Sequence, residues 1–403
     1  MIILVVNCGS SSIKYQLLEM KSDEVYDLKA KGLVERIGLE TGALIHKPTG
    51  KDNYTLEVPI PDHTVGMQLV MDALLDKEHG VLNSLDEIDA VGHRIVHGGE
   101  SFFCSRLVTE DVVNEIARCA DMAPLHNPAH VLGIRACQAV LKDVPEVVVF
   151  DTAFHQTMPA YAYMYALPYE YYEKYGVRRY GAHGTSHRYV AEKGAKFAGL
   201  DINNSKIITC HLGNGSSITA IHNGQCVDTS MGFTPLEGMI MGTRCGCIDA
   251  NIIPYIQEKE NLSPAETREM MNKKSGFLGL SGISSDCRDL SDAADAGNPR
   301  AKLALKKLVY DVTKLIGSYV AVMNGVDLIV FTGGIGENNV RMRRRVSENF
   351  SYLGLKFDYE ANVARGVDTM LTLPDSKVKM ALITTNEELM IARDTMHIVL
   401  ENK

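Results

Sequence analysis

The sequence has no apolar run long enough to cross a membrane. Its apolar runs, such as Val147–Phe150 and Leu328–Phe331, stop after a few residues, where a bilayer span needs about 20. Met1 leads directly into the strand-like Ile2–Val6, a start that leaves no place for a secretory signal. Nine cysteines are present without any Cys-x-x-Cys pair. An odd number with no signal reads as reduced cytoplasmic thiols, not a disulfide framework. Positive charge is also in short supply. A net charge of −9 offers no basic face for nucleic acid or for an anionic membrane, so neither is expected as a partner. Two familiar nucleotide loops are missing: no G-x-x-x-x-G-K-[ST] and no G-x-G-x-x-G occurs. An anionic substrate must therefore be met by a local cluster of Arg, Lys and metal.

What is present fits an enzyme. The chain has 403 residues, 45% hydrophobic and 23% charged, ordinary values for a globular protein of two or three domains. Short β runs end in Gly or polar turns and alternate with helical periodicity, which predicts an α/β fold. Ile2–Val6, the turn Gly9–Ser12 and Ile13–Leu18 form one strand–turn–strand unit. The pattern returns about two hundred residues later in Ile207–His211, Gly213–Ser217 and Ile218–Ile221. Both units carry Gly-Ser-Ser in the turn, the mark of a duplicated domain. The boundary is placed near Asp151, giving domains 1–150 and 151–385. The last helix, 386–403, is expected to pack back on the first.

Several polar residues stand at element ends. Gly-Ser turns expose backbone N–H groups and hydroxyls to phosphate, although a plain hairpin explains either turn alone. Lys14 is within reach of the first. Gly333-Gly-Ile-Gly-Glu-Asn338 follows an apolar strand and opens a helix, a place where a nucleotide can lie against backbone. The arginines after it, Arg341–Arg345, read as a solvated helix face. Arg94, Asp151 and Arg244 follow or end strand-like runs. His126 and His130, like His183 and His187, are four apart, but neither pair has the Glu of a zinc helix. Pro128 and Gly184 make both stretches poor helices by propensity.

These blocks resemble the acetokinase family. Asn7-Cys-Gly-Ser-Ser-Ser-Ile-Lys14 is similar to its opening signature. Tyr180-Gly-Ala-His-Gly-Thr-Ser-His187, His211-Leu-Gly-Asn-Gly-Ser216 and Phe331-Thr-Gly-Gly-Ile-Gly-Glu-Asn338 match further blocks, in order, over nearly the whole chain. The resemblance places the chain in the sugar kinase, Hsp70 and actin superfamily. It implies two ribonuclease-H-like domains with ATP and substrate in the cleft between them, and a cytoplasmic homodimer joined through the second domain. The implied reaction is reversible phosphoryl transfer from ATP to acetate, giving ADP and acetyl phosphate.

Roles follow by motif. Asn7 and Glu387 resemble magnesium-site residues, with Mn²⁺ as an alternative ion. Arg94 and Arg244 resemble clamps on carboxylate and phosphoryl group, His183 a transition-state stabiliser, His126 its neighbour and Asp151 the active-site aspartate. Lys14, His211, Leu212, Gly213, Asn214, Gly215, Asp286, Cys287, Arg288, Gly334, Ile335, Gly336, Glu337 and Asn338 resemble the ATP-binding set. Val96, Leu125 and Pro235, with Arg94, match the acyl pocket. Ala182 stands where many members carry Phe, which leaves propionate or butyrate open as the preferred acid. A non-catalytic ATP-binding scaffold on the same fold is the other alternative, and it has no need of two arginine clamps.

Overall fold

The computed structural model describes residues 1–124 and 126–402; Leu125 and Lys403 lie outside the described residues. The chain divides into two compact units, Met1–Phe154 with Asn386–Lys403, and His155–Thr385.

The first unit is built on an eight-stranded sheet. Its strands are β1 (Ile2–Gly9), β2 (Ser12–Met20), β3 (Tyr26–Glu35), β4 (Gly42–Pro48), β5 (Tyr54–Val58), β6 (Ala90–Ile95), β7 (Arg106–Leu107) and β8 (Glu146–Phe150), in the order β5-β4-β3-β2-β1-β6-β8-β7. The Gly-Ser-Ser turn closes the β1–β2 hairpin, with Gly9 opposite Ser12 and Asn7 opposite Lys14. β6 and β8 then add in parallel. Ile3, Leu4, Val5 and Val6 are all buried, because β1 is covered on both faces. One cover is the helix Asn127–Val140 and another is the final helix Glu387–Glu401.

The second unit repeats the plan. β9 (Lys206–Leu212), β10 (Ser216–His222), β11 (Gln225–Thr229), β12 (Leu328–Thr332), β13 (Thr369–Met370) and β14 (Lys379–Leu382) lie in the order β11-β10-β9-β12-β14-β13. The two sheets share a central order, β3-β2-β1-β6-β8 in the first and β11-β10-β9-β12-β14 in the second, in which three antiparallel strands are extended by two parallel ones. The 24-residue helix Pro299–Val322 buries Leu308, Val312 and Ile316 in the same core as Ile329 and Phe331. No described helix is long and apolar enough to cross a membrane.

Three local expectations change. Pro128 and Gly184 do not prevent helices; they begin them, in Asn127–Val140 and Gly184–Phe197. Proline in a first turn loses no hydrogen bond, since that N–H has no intrahelical acceptor. Arg343 is not on a solvated face but fully buried. Its guanidinium donates to the carbonyls of Gly336, Glu337, Asn362 and Ala364 and to Asn362 Oδ1, all at 2.7–2.9 Å. Charge pattern alone does not reveal that a helical Arg points inward. Asp151 sits in the first unit, where its N–H donates to Ile95 O at 2.9 Å.

Candidate active site

In the first unit, β6 and β8 run in parallel with Arg94 opposite Val149, so Arg94 and Asp151 emerge side by side. Asp151 is 1% exposed. Arg94 donates from Nε and Nη2 to Asp151 Oδ2, at 3.1 and 2.7 Å. The adjacent Asp151 carboxylate raises the Arg94 pKa further and keeps the guanidinium charged. Glu387 opens the final helix, with its Oε2 3.7 Å from Arg94 Nε. That helix is capped by Asn386, whose Oδ1 accepts from Leu389 N–H at 3.0 Å. It reaches the sheet because residue 92 is glycine: a Cβ there would meet Thr395 Oγ1 at 2.5 Å. Burial pushes the Glu387 carboxyl up to about 7, opposed by Arg94.

Asn7, Lys14, Arg94 and Glu387 line one cavity of about 260 Å³ in this unit. Lys31 and Lys47 line it too, paired across β3 and β4. Neither stands out in the sequence, because only strand register brings them together. Asn7 and Glu387 offer an amide and a carboxylate oxygen to the same space, the donor type a magnesium ion takes. His126 stands at the start of the helix Asn127–Val140, and Val96 is buried. Leu125 falls outside the described residues.

In the second unit, the Gly333–Asn338 loop forms the start of a helix, as its position after β12 predicts. Glu337 folds back and accepts from Gly333 N–H at 3.1 Å and Thr332 Oγ1 at 3.2 Å. A cavity of about 990 Å³ is lined by Gly213, Asn214, Asp286, Cys287, Arg288, Gly334, Ile335 and Asn338, a volume suited to a sizeable ligand. Asp292, Asn339, Arg341 and Arg365 complete much of its wall. Asp286 caps the helix Cys287–Asp295, and Arg288 donates back to it at 2.6 Å. Leu212 belongs to the apolar core, Lys14 to the other unit's cavity, and Gly336 and Glu337 to the Arg343 anchorage.

Arg244 donates to Pro235 O at 2.7 Å, and burial lowers its pKa. Gly215 faces it: a Cβ there would meet Arg244 Nη2 at 3.0 Å. His183 sits at φ 58°, ψ 22°, left-handed backbone for a non-glycine residue, a conformation that costs energy and clusters at functional sites. Its ring stacks on His211 at 4.3 Å. His211 Nδ1 pairs with Ser186 Oγ at 2.8 Å. Ala182 is buried with Met231 and Met241. The first unit thus presents a guanidinium held by a buried carboxylate, and the second a guanidinium held by a backbone carbonyl.

Residues 2–393 match the Acetokinase family. The chain belongs to the acetokinase family. It is 55% identical to the acetate kinase of Desulfitobacterium hafniense over 397 residues, which is 98% of this chain and 99% of that protein. It is equally similar to the acetate kinase of Clostridioides difficile, over 98% and 99% of the two chains. Among solved structures, the Porphyromonas gingivalis acetate kinase aligns with a TM-score of 0.95 at 46% identity, covering 99% of each chain. A Francisella tularensis propionate kinase aligns with a TM-score of 0.89 at 42% identity over 98% and 99%. The acetokinase fold thus extends over the whole chain.

Proposed function

We propose that this acetokinase-family chain transfers the γ-phosphoryl group of ATP reversibly to acetate, forming acetyl phosphate and ADP, with Mg²⁺ and by direct attack of the carboxylate. The observation that carries it is the full-length match at 55% identity to acetate kinases, joined to the charged Arg94 held by buried Asp151.

The chemistry agrees. Acetate is ionised at neutral pH, so no general base is needed. The obstacle is anion against anion, about 4 kcal/mol for two unit charges ~4 Å apart at an effective dielectric near 20. Arg94 and Arg244 offset that repulsion, and His183 donates to the transferring group. Asp151 orients Arg94. Asn7 and Glu387 hold the ion, which when bound neutralises phosphate charge. The 990 Å³ cavity takes the nucleotide. By their match to the family motif, Val96 of the first unit and Ala182 and Pro235 of the second are assigned the acyl chain.

Propionate is the second reading, favoured by the small Ala182 and by the propionate kinase of the same fold. We also assign a cytoplasmic homodimer joined through the second unit. Its exposed Tyr161, Leu167, Tyr169 and Tyr175 support that assignment, and sedimentation tests it. The deciding experiment traps acyl phosphate with hydroxylamine, using ATP, Mg²⁺ and acetate, propionate or butyrate. Hydroxamate from acetate is expected; none from any acid overturns the proposal.

A further inference from the structure

One hydroxyl with a single hydrogen stands between two imidazoles. Ser217, fully buried on β10, has its Oγ 2.8 Å from His183 Nδ1 and 2.7 Å from His187 Nε2. His187 Nδ1 lies 2.7 Å from Thr209 Oγ1, buried on neighbouring β9. Four side chains form a line: Thr209, His187, Ser217, His183.

A hydroxyl donates once, and a neutral imidazole donates from one nitrogen. Burial lowers the His187 pKa well below its ordinary value, so this ring is neutral. Two patterns remain. In the first, Thr209 donates to His187 Nδ1, His187 Nε2–H donates to Ser217, and Ser217 donates to His183 Nδ1. Every hydrogen in the line finds an acceptor. In the second, all three bonds reverse, and the Thr209 hydrogen is left over. Among the described residues the Thr209 hydroxyl meets only His187. A buried donor without an acceptor is costly, so the first pattern prevails and the His183 hydrogen lies on Nε2.

We propose that Ser217, backed by His187 and Thr209, is a positioning residue that fixes His183 in its Nε2–H form, presenting a donor to an anionic phosphoryl oxygen. This rests on the reading of His183 as phosphoryl stabiliser. Left-handed backbone at His183 and its stack on His211 fix where the ring lies; the line fixes which nitrogen carries the hydrogen. The other titratable rings packed on the line are His211, against His183 and His187, and His155, against His187. Protonating His183 at Nδ1 must reverse the whole line and strand the Thr209 hydrogen, so the relay also resists charging of His183.

The test uses the full chain labelled with ¹⁵N-histidine, with the His183 signals identified by their loss in His183→Asn. The expected wild-type Nδ1 shift is that of an unprotonated ring nitrogen. Thr209→Val, two links away and nearly the same shape, and Ser217→Ala should each give a mixture of tautomers. Thr209→Ser, which keeps the hydroxyl, should behave as wild type. Turnover in Thr209→Val and Ser217→Ala should fall about tenfold, a fraction of the ~10²-fold loss of a whole donor. KM for ATP should hold, and the acidic limb of the rate–pH profile should move to higher pH. A protonated Nδ1 in wild type, or an unchanged His183 spectrum in both variants, overturns the proposal. Full turnover in His183→Asn would instead overturn the stabiliser role beneath it, whatever the spectra show.

Discussion

Arg94 and Asp151 meet as a fork on a carboxylate, with Nε and Nη2 both donating to Oδ2, at 3.1 and 2.7 Å. Arg94→Ala should lower kcat/KM about 10²-fold or more. Arg94→Lys should recover only part, since an ammonium lacks the planar fork. Asp151→Asn should slow turnover at every pH, because it loosens the fork without removing a base. Steady-state rates from pH 6 to 9 check all three; a lost pH limb in Asp151→Asn would contradict the orienting role.

Gly215 and Arg244 should prove coupled. Arg244→Ala should cost about 10²-fold. Gly215→Ala places a methyl against the guanidinium, where 3.0 Å is available, and should cost roughly tenfold in rate, a small part of that donor's worth. In an Arg244→Ala background the same change should cost almost nothing. A double-mutant cycle on kcat reads the coupling directly.

Glu387→Gln should raise the Mg²⁺ concentration for half-maximal rate at least tenfold, on the scale of losing a charged ligand. The same change should stabilise the metal-free protein. A carboxyl raised to about 7 binds its proton more tightly folded than unfolded. Its contribution is therefore largest at acid pH and falls as pH rises from the unfolded value through 7. At pH 8 the amide removes that penalty, roughly 3 kcal/mol. Melting with a chelator, at pH 5 and pH 8, checks the sign.

His97, His130 and His187 predict acid lability. Burial lowers the first to about 4, the second to about 3, and the third well below its ordinary value. Each binds its proton more readily unfolded, so stability falls as pH drops below the ordinary histidine range near 6.5. For His97 and His130, both in the first unit, the slope approaches two protons, roughly 2.7 kcal/mol per pH unit. Tm measured from pH 7.5 to 5 should drop steeply, and His130→Phe should flatten the curve.

Ala182→Phe must displace Met231 or Met241, both fully buried, at about 1–3 kcal/mol. Tm should fall by a few degrees. If residue 182 also bounds the acyl tail, kcat/KM for propionate should fall more than that for acetate, by up to ~10-fold for one methylene. The ratio of the two constants, in both proteins, measures it.

Much of this is legible in the sequence. The two Gly-Ser-Ser segments announce hairpins because strand alternation flanks them on both sides, and β1–β2 and β9–β10 form there, although the second turn is shorter than expected, with Ser216 and Ser217 already on β10. The Gly333 loop opens a helix for the same local reason. What escaped was set by distant packing. Arg343 looks like its neighbours Arg341 and Arg344 in sequence, yet it alone of the three turns inward to hold carbonyls. Gly92 looks like an ordinary strand glycine until the final helix lands on it. His187 gets no role from its spacing to His183, which lacks the Glu of a zinc helix, whereas in the fold both its nitrogens are taken by hydroxyls. Lys14 sits in a signature read for nucleotide but lines the Arg94 cavity, since register across β1 and β2 sets it opposite Asn7.

The final helix, Glu387–Glu401, completes a unit whose other segment ends at Phe154. On the ribosome, where domains form as units while the chain grows, the second unit is whole before that helix exists. The β1–β6–β8 sheet must wait, with Gly92 uncovered, until residues 387–401 arrive. Glu387 comes with them. The carboxylate assigned to the metal is therefore installed after every residue of the second unit, and a chain cut short within this helix has the 990 Å³ cavity of the second unit but leaves Gly92 uncovered.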